Sequence, residues 1–172
     1  MENYIADLDT LAIKPYEHIK YNAKIFTKHG IYKCTNTPFE IIQESCQYYF
    51  SSYEARRKAT IFYTNFRHKV PIFISKHFNI LAFPTSSPSL FHTNWIFVNN
   101  IVHIFKIGNY RSNILYNNGT KISFNTSKQN LQAQLTRSYA LMHIVDMIKQ
   151  GMIKKIKIPE VNQLKTLQVF LD

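Results

Sequence analysis

Trp95-Ile96-Phe97-Val98, Ile101-Val102-His103-Ile104-Phe105, Ile114-Leu115-Tyr116 and Ile122-Ser123-Phe124 follow one another closely within residues 95–124. Runs this short, rich in β-branched and aromatic residues, fit strands; a helix needs a longer stretch of 3.6-residue periodicity. Asn117-Asn118-Gly119 separates the last two runs with residues that tolerate positive φ, which predicts a hairpin. Towards the N-terminus, Ile61-Phe62-Tyr63, Ile72-Phe73-Ile74 and Ile80-Leu81-Ala82-Phe83 read the same way, punctuated by Pro71, Pro84 and Pro88. The chain from Thr60 to Asn125 is therefore predicted to be strands. Residues 3–14 and 24–34 read as two further β segments, with Pro15 and a polar run between them and a bend at Gly30.

Helices flank this block. Thr37 is a good N-cap, Pro38 fits the first helical position and Glu40 completes a capping box. Ile42, Cys46 and Tyr49 then recur at helical spacing, which predicts a short helix near 38–50. A long helix near 127–149 is predicted from Thr126 as cap, Gln129 as its partner and Gly151 as the stop. Leu131, Leu135, Tyr139, Met142, Val145 and Ile148 would line its inner side. Leu164, Leu167 and Leu171 suggest one last short helix. The fold class expected is α+β, a mainly antiparallel sheet with two flanking helices. One domain over residues 1–172 is expected, ending in a short variable tail, 152–172.

The chain has 172 residues, 45% of them hydrophobic, enough for one sizeable core. No apolar run approaches the roughly 20 residues of a membrane helix, so no membrane partner is expected. Met1-Glu2-Asn3-Tyr4 does not open a signal peptide, and Cys34 and Cys46 alone cannot form a disulfide framework or a four-ligand metal site. A cytoplasmic location follows as the expectation.

The net charge is +11. Residues 55–145 contain no Asp or Glu but hold Arg56, Arg57, Lys58, Arg67, Lys69, Lys76, Lys106, Arg111, Lys121, Lys128 and Arg137. Elsewhere, acidic and basic residues cancel. Such a region draws a polyanion, with nucleic acid as the usual partner. A solvated basic surface or an anionic membrane face is the alternative.

Two motifs concentrate the charge. In Ser51-Ser52-Tyr53-Glu54-Ala55-Arg56-Arg57-Lys58, three cations follow two hydroxyls and a tyrosine. Arg offers a planar fork of donors and Lys a point charge, while hydroxyls fix register on phosphate. In Asn65-Phe66-Arg67-His68-Lys69-Val70-Pro71, basic residues sit between two expected strands, where they can enter a groove. The histidines show no metal-ligand spacing, and His103 and His143 read as core residues. Trp95 reads as a core anchor, Asp7-Leu8-Asp9 as a solvated strand face and Cys46 as a small buried hydrophobe. With no carboxylate in the middle of the chain, acid–base catalysis is not expected, and neither a cofactor nor a metal is called for.

Ser45-Cys46, Tyr48-Tyr49, Ser51-Ser52-Tyr53 and Arg56 resemble a Ser-Cys…aromatic-aromatic-Gly-Ser-Ser-Tyr-x-Gly-Arg segment of the ComK family of bacterial competence regulators. His68-Lys69-x-Pro71, Phe83-Pro84-Thr85-x-Ser87, Trp95 and Asn118-Gly119 continue the series in order, over roughly residues 38–141. The family's glycines before Ser-Ser-Tyr and before Arg are Phe50 and Ala55 here, and its Cys before the Trp is Thr93. The resemblance implies a transcriptional activator of DNA-uptake genes, without a helix-turn-helix, that binds AT-rich boxes through the minor groove as paired dimers. It also implies a Clp protease adaptor as partner. The corresponding tail segment retains only Pro159, beside Ile156 and Ile158.

The resulting expectation is a double-stranded DNA-binding activator, dimeric or a dimer of dimers, that engages RNA polymerase on the nucleoid. Ser51, Ser52, Tyr53, Arg56, Arg57, Lys58, Arg67, His68 and Lys69 are the expected DNA-binding residues. A single-stranded nucleic-acid or RNA-binding module, or a basic protein-interaction module, is the alternative.

Overall fold

The middle strands read as unbroken apolar runs because both of their faces are covered. The computed structural model describes residues 1–153. Six strands form one antiparallel sheet in the order β3-β2-β1-β6-β5-β4. They are β1 (Thr10–Pro15), β2 (Ala23–Thr27), β3 (Gly30–Cys34), β4 (Ile72–Ser75), β5 (Ile80–Pro84) and β6 (Trp95–Phe97). Successive side chains point to opposite faces. Ile72, Ile74, Ile80, Ala82, Trp95 and Phe97 enter one core with α1 (Pro38–Tyr48). Phe73, Leu81, Phe83, Ile96 and Val98 enter a second core on the other face. That face meets a three-stranded antiparallel sheet, β7 (Ile101–Gly108), β8 (Arg111–Tyr116) and β9 (Lys121–Phe124), and the long helix α3 (Lys128–Lys149). With two apolar faces, the alternation of a half-solvated sheet disappears from the sequence. The α+β class and both expected helices are observed.

Thr37 caps α1 as expected: its hydroxyl accepts from the Glu40 amide, and the Glu40 carboxylate accepts from the Thr37 amide at 2.7 Å. Asn117-Asn118-Gly119 turns between β8 and β9 with Gly119 at φ +84°. Trp95 is fully buried.

Several expectations are corrected. Ile61-Phe62-Tyr63, read as a strand, lies in a further helix, α2 (Tyr53–Thr64). The Ser52 hydroxyl accepts from the Ala55 amide to start this helix, and Asn65 ends it in the left-handed conformation. Tyr53 and Thr60 anchor α2 to the interior while Phe62 and Tyr63 stay exposed, so cap and packing outweigh local β propensity. Of residues 3–14, only Thr10 onward is strand. The preceding segment is tied down by the Ala6 amide donating to Ser45 Oγ and by Tyr4 against Thr10. Residues 24–34 split into the β2–β3 hairpin near Gly30. Ser127, not Thr126, caps α3, its hydroxyl accepting from the Asn130 amide. The buried stripe of α3 is Leu131, Gln134, Ser138 and Leu141, and Tyr139 is exposed. His103 and His143 are exposed: Ile104 takes the inward position on β7, and Leu141 that on α3. Asp7 lies in a turn, accepting from the Asp9 amide and the Thr10 hydroxyl. The expected helix at Leu164 lies outside the described residues.

Candidate nucleic-acid interface

Consecutive residues of a helix point about 100° apart, so three adjacent cations on α2 cannot act as one cluster. Arg56 turns into an apolar cleft beside Tyr63, Phe73, Leu141 and Ile148. There its Nη2 donates to the Tyr49 carbonyl at 3.3 Å. Lys58 is exposed. Arg57 points the other way, into a recess of about 340 Å³ that it lines with Arg67, His68, Lys69, Val70, Ser87 and Pro88. Four of the nine expected site residues thus meet at one place.

The recess has three walls. The α2 helix supplies Arg57. The chain then turns at Asn65 (φ 57°) and again at Lys69 (φ 48°), both left-handed, and this sharp loop presents Arg67, His68 and Lys69. The loop after β5 supplies Ser87 and Pro88. Arg57 Nη2 donates to the Arg67 carbonyl at 3.4 Å and Arg67 Nε to Asn65 Oδ1 at 3.3 Å.

A clamp from α3 holds this loop, and local sequence reading did not find it. Gln134 is only 6% exposed. Its Nε2 donates to the Lys69 carbonyl at 2.7 Å and to the Pro84 carbonyl at 3.2 Å. Its Oε1 accepts from Arg137 Nη1 at 2.7 Å, and Arg137 Nη2 donates to the His68 carbonyl at 2.8 Å. The Arg137 guanidinium stands 4.3 Å from the Phe66 ring centre, and its partial burial depresses its pKa. Arg137 thus positions the basic loop. The signal was a polar residue at helical spacing between Leu131 and Leu141, where an apolar one belongs.

The remaining expected residues have other surroundings. Ser52 caps α2. Ser51 is half-buried where α1 gives way to α2. Tyr53 is buried edge-on to Phe39 and Trp95, and burial raises its pKa to about 12. It supports α2 from below and is closed to a ligand.

The electrostatics around the recess are one-sided. Among the described residues the ion pairs are Lys28 and His29 with Asp9, and Lys149 with Asp146, none at the recess. Among the described residues, no Asp or Glu lines it. The acid-free middle does not gather all its cations there: Lys106, Arg111 and Lys121 lie on the three-stranded sheet and Lys76 on the far side of α2. Among the described residues, no group of three or more His, Cys, Asp and Glu is placed to hold a metal ion. Cys46 is fully buried, and burial raises its thiol pKa to about 11 against the pull of Arg56. Also among the described residues, no helix is long and apolar enough to cross a membrane.

The family model described as ComK protein matches residues 1–150, most of the chain. This chain belongs to the ComK family. The competence transcription factor of Bacillus subtilis (strain 168) is 28% identical over 142 residues, covering 80% of this chain and 72% of that protein. Membership in the ComK family makes this chain a competence transcription regulator. No solved structure matches it. Phe50, at the place of the family's glycine, has φ 59° and is fully exposed. The tight turn between α1 and α2 is therefore kept without the glycine.

Proposed function

We propose that the chain activates competence genes by binding AT-rich boxes in double-stranded DNA, with Arg57, Arg67, His68 and Lys69 as the grip. The observation that carries this reading is the recess itself: separate segments deliver cations to one concavity that no carboxylate among the described residues enters. Side chains of this kind neutralise phosphates and enter a narrow, strongly negative minor groove. Among the described residues His68 is the one aromatic side chain lining the recess, so the recess lacks the stacking platform that single-strand binders use. The relative's name, competence transcription factor, supports the choice of genes. In this reading the regulator works in the cytoplasm on the nucleoid, as a homodimer or paired dimers that engage RNA polymerase. Control by a Clp adaptor through Ile156, Ile158 and Pro159 concerns residues outside those described. Footprinting on a competence promoter tests the reading. Wild type should protect AT-rich boxes, and folded Arg67→Ala/Lys69→Ala should not. Equal protection by both would refute it.

A further inference from the structure

The recess does not stand alone. Lys69 also lines a second concavity, with Thr85, Thr126, Asn130, Gln134 and Arg137. Thr85 and Thr126 in turn line a third, with Lys14, His92, Asn94 and Asn125. Shared lining residues join the three end to end, and among the described residues no Asp or Glu lines any of them.

Charge is uneven along this path. One end carries Arg57, Arg67 and Lys69. The other carries Lys14, whose Nζ donates to the Ser123 carbonyl at 2.8 Å and stands 5.1 Å from the Phe124 ring centre. Burial, with Lys24 nearby, depresses its pKa, and no ion pair among the described residues includes it. Between them lie Arg137, whose guanidinium already donates to Gln134 and to the His68 carbonyl, and the neutral polar residues Thr85, Asn94, Asn125, Thr126 and Asn130. Asn125 and Asn130 are exposed, and no hydrogen bond among the described residues occupies their side chains. Hydroxyls and amides contact sugar and phosphate, and carboxamide donors match the acceptors that A·T pairs present in the minor groove.

We propose that these concavities are one duplex-binding furrow, gripping phosphates at the Arg57–Lys69 end and at Lys14, with Asn125 and Asn130 facing the base edges between. This rests on the DNA reading above and assigns residues to it. Lys14 and Arg67 then hold different phosphates of one bound duplex. The Asn side chains set the preference for A·T over G·C.

Binding of the full chain to AT-rich and GC-rich duplexes, followed by fluorescence anisotropy across a salt series, tests the furrow. Lys14→Gln should reduce the slope of log K against log salt by about 0.9, one phosphate contact, and leave the AT-to-GC ratio unchanged. Asn125→Ala/Asn130→Ala should leave the slope and cut that ratio about fivefold or more. His92→Glu places a negative charge at an exposed furrow position and should weaken binding to both duplexes, which keeps the test open if Lys14→Gln misfolds. If all three bind as wild type while Arg67→Ala lowers the slope, the furrow is wrong and the DNA reading stands. If Arg67→Ala also has no effect, the DNA reading fails with it.

Discussion

Replacing Gln134 by Met keeps the length and helix propensity of the side chain and removes its polar end. Three hydrogen bonds are lost: to the Lys69 carbonyl, to the Pro84 carbonyl and from Arg137. The Pro84 bond is buried, so that carbonyl is left without a partner and its loss costs about 2 kcal/mol. Water reaches the other two, which count for about 1 kcal/mol each. Burial of the Met side chain returns about 1 kcal/mol, for a net destabilisation of about 3 kcal/mol. At this chain length that corresponds to a fall in Tm of about 6–12 °C in a thermal melt. The loop it holds would also loosen, because Lys69 sits in a left-handed conformation that a lysine does not favour on its own. Affinity for an AT-rich duplex should therefore drop more in Gln134→Met than in a surface variant of equal stability. A Tm within 2 °C of wild type, with unchanged DNA affinity, would refute the clamp.

Thr37→Ala should cost about 1 kcal/mol in urea unfolding, since the α1 capping box depends on that hydroxyl. Phe50→Gly should stabilise by about 0.5 kcal/mol, because a fully exposed side chain is exchanged for relief at φ 59°; a loss of stability would mean that Phe50 makes contacts in solution. Burial holds the Cys46 thiol protonated up to about pH 11, against an ordinary value of 9.0. Between those values the unfolded chain releases a proton that the native chain keeps, so stability from this group falls as pH rises. The urea midpoint should fall more steeply between pH 9 and 10.5 in wild type than in Cys46→Ala, and equal slopes would contradict the assignment.

Signals confined to a few neighbouring residues were legible in the sequence. The Thr37–Glu40 box, the Asn118-Gly119 turn and the apolar runs of β4 to β9 each carry their own cause. The α2 helix was not legible, because Ile61-Phe62-Tyr63 has the composition of a strand. Its Ser52 cap and left-handed Asn65 decide the matter only once Tyr53 is packed on Trp95. The capping hydroxyl of α3 was missed by one residue because Thr126 and Ser127 are chemically equivalent caps. At the site, the basic residues of 55–69 were visible, but not their directions. Helical geometry sends Arg56 and Arg57 to different concavities, which no composition argument contains. The Gln134 contact joins residues 65 positions apart, and only the fold brings them together.

The central claim is that separate segments converge to grip a polyphosphate. It is tested most directly by the salt dependence of duplex binding for wild type and for Arg57→Ala/Arg67→Ala/Lys69→Ala. The account predicts that this folded variant loses about 2.7 from the slope of log K against log salt, three phosphate contacts at about 0.9 each. A variant slope equal to that of wild type would contradict it.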